Sequence, residues 1–225
     1  MFSDLIDLKR EKKEISLLII LISFFPVFIL LGSAVINTFI ILTSLIFLYA
    51  SYKEKNFLFL KNYYFILLIS FFFILLLNIF LSKYGTEDYS RQVGFLRFII
   101  FIFAISFSLN FSEGRYKNFI FKIWFCIFII VTFDLCFEFI FGFNVIGNTS
   151  YMPGRLSSFL GDELKIGNYF FGFFLISSVY LINLMSEKNK LILFCLIFFV
   201  FISFIIGERS NFIKIFICFF LFIFA

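Results

Sequence analysis

Apolar runs long enough to cross a bilayer recur from Ile15 to the last residue, Ala225, broken only by short polar stretches. A hydrocarbon core about 30 Å thick takes roughly 20 apolar residues of helix per crossing. The runs lack the period-two alternation of a membrane strand, so they read as helices and not as barrel strands. Apolar residues make up 63% of the chain and charged residues 15%, against roughly 45–50% and about 25% in soluble domains. No soluble fold hides that much apolar surface. The sequence therefore predicts an all-α, polytopic transmembrane helical bundle, a single membrane domain over residues 1–225. Polar breaks divide it into about eight spans, near 15–31, 34–51, 62–82, 94–111, 118–141, 167–185, 190–206 and 211–225.

Residues 1–14 form a charged N-terminal segment, and no small-residue cleavage site follows the first apolar run, which should stay as the first span. Pro26 falls within that span, where a kink is tolerable. The apolar stretch Ile15 to Ala50 is too long for one crossing and long enough for two, with Gly32-Ser33 as the turn between them. The last run, Asn211 to Ala225, rises only about 22 Å as a helix and has no polar flank. This reads as the N-terminal fragment of a longer protein.

The 19 Lys and Arg residues are scattered through short loops beside spans, a pattern of topology signals that excludes a nucleic-acid surface. One side of the membrane receives the Lys-rich segments around residues 9–13, 53–61, 115–122 and 188–190, and the positive-inside rule makes that side, with the N-terminus, cytoplasmic. The other side receives Lys83 and Lys165 together with Arg91, Arg97, Arg155 and Arg209. Lysine suffices for topology, whereas the planar guanidinium fork grips phosphate through two parallel hydrogen bonds. Four outer arginines therefore point to an anionic ligand; pairing with Glu87, Asp88 or Glu208, or with lipid headgroups, is the competing account. The 44 Phe residues suit a lipid solvent that accepts any bulky apolar side chain, and carry no functional reading. Cys126, Cys136, Cys195 and Cys218 sit inside apolar runs at irregular spacing and the chain has no His, so no metal site, disulfide framework or cofactor is expected.

Two polar features stand out. Residues 142–166 form the longest extracytoplasmic loop, in which Pro153-Gly154 fixes a turn, Arg155 follows it, and Asp162 can cap a helix beginning near Glu163. Asp134 and Glu138, four residues apart, share one face of the fifth span, and carboxylates inside a membrane are functional candidates. They could pair with Arg97 or Arg155, bind an acceptor, or relay protons.

The segment Gly154-Arg155-Leu156-Ser157-Ser158-Phe159-Leu160-Gly161-Asp162-Glu163, followed by Gly167, resembles the loop motif of the O-antigen ligase and O-antigen polymerase superfamily. Phe141-Gly142-Phe143-Asn144-Val145-Ile146-Gly147 is similar to that family's glycine-bounded approach to the loop. Gly207-Glu208-Arg209-Ser210 resembles its later G-x-R-[ST] turn. The ordered motifs cover roughly residues 85–225, while the first spans agree only in hydropathy. The sequence departs from the pattern at Ser158, where Gly is usual, and it lacks the later large loop in which a His is implicated in ligases.

The resemblance implies metal-independent, cofactor-free glycosyl transfer at the outer face of the bacterial inner membrane. A glycan on undecaprenyl pyrophosphate would pass to lipid A-core or to a growing O-antigen or polysaccharide chain. Arg155 and Arg209 would hold the pyrophosphate by their place in the matching motifs, with Arg91 and Arg97 second. Fixed guanidinium groups suit a leaving group that gains negative charge. The base that accepts the acceptor hydroxyl proton would be Glu163, or else Asp162, although helix capping accounts for both. A transporter or flippase of lipid-linked or anionic substrates is the alternative, with Asp134 and Glu138 as a proton-coupling pair, and no internal repeat of the kind transporters carry is visible.

Overall fold

A backbone surrounded by apolar side chains must satisfy its own N–H and C=O groups, and each apolar run of this chain does so as helix. The computed structural model describes residues 12–81, 92–111, 116–161, 165–185 and 189–224, and among these there is no strand. The helices are α1 Lys13–Ser23, α2 Phe25–Leu30, α3 Ser33–Lys53, α4 Tyr63–Leu81, α5 Phe95–Asn110, α6 Lys117–Phe141, α7 Ile166–Leu184, α8 Asn189–Ile205 and α9 Arg209–Phe224, with short 3-10 turns at Leu58–Lys61 and Ser158–Leu160. Their boundaries lie within about two residues of the runs read from hydropathy.

Three of them, α3, α6 and α7, are long and apolar enough to cross a membrane, at 21, 25 and 19 residues. Helices α4, α5 and α8 contain shorter apolar stretches, Tyr63–Asn78, Phe95–Asn110 and Lys190–Ile205. The expected first span is broken into α1 and α2 at Phe24. Pro26 is the reason: it has no N–H to continue the helical ladder, and it sits in the first turn of α2, where that N–H is not needed. Gly32, at φ +101°, separates α2 from α3 as the sequence indicated. Helix α6 exposes apolar side chains as well as burying them: Phe128, Val131 and Leu135 are buried while Ile130, Phe133 and Ile140 are exposed. That distribution suits lipid, not water.

The chain divides into two compact units. In the first, residues 1–22 and 36–119, α4 packs on α5 and on the turn Leu58–Lys61. Lys12 Nζ lies 2.6 Å from Glu54 and Lys53 Nζ lies 2.6 Å from Glu14, so the start of α1 and the end of α3 stand side by side. In the second, residues 23–35 and 120–225, α7, α8 and α9 pack against one another. Phe128, Phe170, Phe174 and Phe199 build its core, with ring centres 4.9 Å apart for Phe128–Phe170 and 5.1 Å for Phe128–Phe199. This second unit holds the loop and turn that the candidate site is made from.

Candidate functional site: a loop held by buried carboxylates and a cleft lined by two arginines

Helix α6 ends at Phe141 and the chain leaves it through Gly142 at φ +79°. The loop that follows folds back over the last two turns of α6, and two acids on that helix hold it. Asp134 Oδ1 accepts the Val145 N–H at 2.8 Å and Asp134 Oδ2 accepts the Ser158 Oγ–H at 2.5 Å. One turn on, Glu138 Oε1 accepts the Ser157 N–H at 3.0 Å and the Ser157 hydroxyl at 3.2 Å, while Oε2 accepts the Ser158 N–H at 2.7 Å. Both acids are 2% exposed. Burial of a carboxylate is tolerable only with such a set of donors. Asn144, fully buried, closes the loop from inside: its Nδ2 donates to the Ser158 carbonyl at 2.6 Å, and its Oδ1 accepts the N–H groups of Ile146 at 3.1 Å and Asn148 at 2.7 Å.

Ser158 takes φ +49°, a left-handed conformation that glycine adopts without cost. Serine here bears that strain and gains the hydroxyl bond to Asp134.

The loop delivers Arg155 to the turn before α9. Leu156 N–H donates to the Ile206 carbonyl at 3.2 Å, and Gly154 and Gly207, at φ +77° and +82°, touch backbone to backbone. A Cβ on Gly207 would collide with the Gly154 carbonyl oxygen. Between the two turns lies a polar cleft of about 480 Å³ lined by Pro153, Gly154, Arg155, Gly207, Glu208, Arg209 and Ser210. Arg209 is exposed and Arg155 half-buried. Arg209 opens α9, so the positive end of the helix dipole adds to the two guanidinium groups.

Glu208, the acid within that cleft, is bound elsewhere. Its Oε1 accepts the Gly167 N–H at 3.1 Å and its Oε2 accepts Asn211 Nδ2 at 2.5 Å. A Cβ at position 167 would overlap its carboxylate, so only glycine lets α7 start this close. Among the described residues no acid forms an ion pair with Arg155 or Arg209. The cleft therefore presents two guanidinium groups that no acid among the described residues neutralises by an ion pair.

The structure thus brings Arg155 and Arg209 together. Arg97 belongs to the first unit, where its Nη2 donates to Asn37 Oδ1 at 2.9 Å and its guanidinium lies 5.0 Å from the Phe98 ring centre. Arg91, Asp162 and Glu163 lie outside the described residues. Asp134 and Glu138 bond the loop backbone and its serines in place of the arginines considered as partners. The cysteines are free, with Cys126 exposed and the others half-buried. Among the described residues no cluster of His, Cys, Asp or Glu is arranged to hold a metal. Sequence reasoning placed Asn144 and Ser157 in motifs without their loop-holding role, and it missed the Glu208–Gly167 contact, which joins residues 41 apart and has no local signal.

Comparison with protein-family models, with curated proteins and with solved structures gives no match to this chain.

Proposed function

We propose that this chain transfers a glycan from undecaprenyl pyrophosphate to an acceptor hydroxyl, on lipid A-core or on a growing O-antigen or polysaccharide chain, in the manner of the O-antigen ligases and polymerases its motifs resemble. On this reading it is a multi-pass bundle of about eight spans in the bacterial inner membrane, with the N-terminus cytoplasmic and the cleft at the outer face. The observation that carries the proposal is the convergence of Arg155 and Arg209, from turns far apart in sequence, on one polar cleft without an acid partner among the described residues.

In the reaction the bond between the anomeric carbon and the pyrophosphate oxygen breaks as the acceptor oxygen attacks. The pyrophosphate departs with an added negative charge, which fixed guanidinium groups at a helix N-terminus stabilise more than they stabilise the bound donor. Glu163, or Asp162, takes the hydroxyl proton. The loop that carries Arg155 is anchored through Asp134 and Glu138, which holds the backbone from which the arginine reaches the cleft. That use of the two acids also favours transfer over a transporter or flippase, where they would have to exchange protons freely.

The test is Arg155→Lys and Arg209→Lys in cells that depend on the chain for glycan transfer. Charge stays and the fork is lost, so transfer should fall by roughly 10²-fold or more, the usual effect of removing a group that stabilises transition-state charge. The variants should still reach the membrane in normal amount. Undiminished transfer in both variants would remove the proposal.

A further inference from the structure

We infer that the first unit carries a binding cleft for an uncharged, polyhydroxylated ring, the chemistry of a sugar. The cleft has a volume of about 450 Å³ and lies at the end of α3 and α5, against the connection from α3 to α4. That volume falls within the range of small-molecule sites, roughly 300–1,000 Å³. Its floor is aromatic: Phe47 and Phe103 are buried, and the rings of Phe59 and Phe107 stand 5.1 and 5.6 Å from Phe47, centre to centre. Its rim is made of carboxamides, Asn56, Asn62 and Asn110, with Ser106, all exposed.

The rim amides are oriented by bonds to the backbone, and this decides what they offer. Asn56 Oδ1 accepts the Leu58 N–H at 3.3 Å and Asn62 Oδ1 accepts the Tyr64 N–H at 2.9 Å, which leaves both NH₂ groups to donate outward. Asn110 is the opposite: its Nδ2 donates to the Ser106 carbonyl at 2.9 Å, which leaves Oδ1 to accept. A rim that offers both donors and an acceptor matches hydroxyl groups, each of which does both. Among the described residues no charged side chain lines the cleft, so an ion would find no partner among them. A plain alkyl chain would leave the rim amides facing apolar atoms. A sugar ring meets all three demands, laying its C–H face on the phenyl rings and its hydroxyls against the amides.

This inference does not depend on glycan transfer at the arginine cleft, which belongs to the other unit. The test is saturation-transfer NMR on the full chain in lipid nanodiscs, free of sugar-based detergent, with methyl glycosides of glucose, galactose and N-acetylglucosamine as probes. At least one glycoside should receive saturation, and octanol should not displace it. Asn62→Asp keeps the cap on Tyr64 N–H but exchanges donor for acceptor, and Asn110→Leu removes the acceptor. Each should weaken binding by about tenfold, the effect of one lost hydrogen bond. No transfer to any glycoside at millimolar concentration, displacement by octanol, or equal transfer in both rim variants overturns the inference.

Discussion

Replacing Glu138 with Gln separates a carboxylate that holds a loop from one that merely lies near it. Ser157 N–H donates to both Glu138 oxygens, at 3.0 Å to Oε1 and 3.2 Å to Oε2, and Ser158 N–H donates to Oε2 at 2.7 Å; neither can turn round. A glutamine that keeps its oxygen at the Oε2 position still accepts both and points its NH₂ at Ser157 from the Oε1 position. One charge-assisted bond, worth about 1.5–3 kcal/mol, is lost. That loss corresponds to roughly a 10- to 10²-fold increase in opening of the loop. Hydrogen exchange at the amides of Ser157 and Ser158 reads this directly, up to the limit set by global unfolding. Asp134→Asn is the internal control. Its Oδ1 can still accept Val145 N–H, and its new NH₂ can donate to a Ser158 hydroxyl that rotates to accept. Its effect should stay below about 1.5 kcal/mol. Equal protection of Ser157 and Ser158 in Glu138→Gln and in the parent would refute the reasoning, and so would a larger effect from Asp134→Asn.

Gly207→Ala should drive a methyl group into the Gly154 carbonyl and strain a residue at φ +82°; a loss of about 2–4 kcal/mol is expected, read as a fall in thermal midpoint together with loss of Arg155 function. Gly167→Ala should displace the Glu208 carboxylate from the Gly167 N–H, and it is expected to lower glycan transfer and raise exchange at the start of α7 even where membrane insertion is normal. Glu14 is held below the usual carboxylate value, chiefly by its hydrogen bond from Lys53. Its folded-state value is the lower one, so its contribution is present above the unfolded value and fades as pH falls through the folded value. Carbon-13 titration of Glu14 should move toward the ordinary value in Lys53→Met, and an unchanged titration would contradict the pairing.

The helices were legible because each apolar run is bounded by residues a membrane helix ends on, such as Gly32 before α3 and the Lys-rich stretch after it. The break at Phe24 was less legible. A proline permits either a kink or two helices, and neighbouring packing chooses between them. In the site, the i, i+4 spacing announced that Asp134 and Glu138 share a face, but their partners include backbone N–H groups, which every residue but proline possesses and no sequence pattern marks. The left-handed Ser158 was hidden for a related reason, since the position asks for glycine and the residue present does not advertise it. Gly154 and Gly207 each signal a turn. That the two turns touch is a long-range contact, and only the fold reveals it.

The proposed glycan transfer requires Arg155 and Arg209 to act as one grip on a diphosphate. Equilibrium binding of a short-chain polyprenyl pyrophosphate to the full chain in nanodiscs, compared with the double variant Arg155→Lys/Arg209→Lys, measures that grip without requiring turnover. Loss of two bidentate, charge-assisted contacts predicts a weakening of roughly 10²-fold or more, with the corresponding polyprenyl alcohol binding both proteins alike. Equal affinity for the pyrophosphate in the parent and the double variant would contradict the claim.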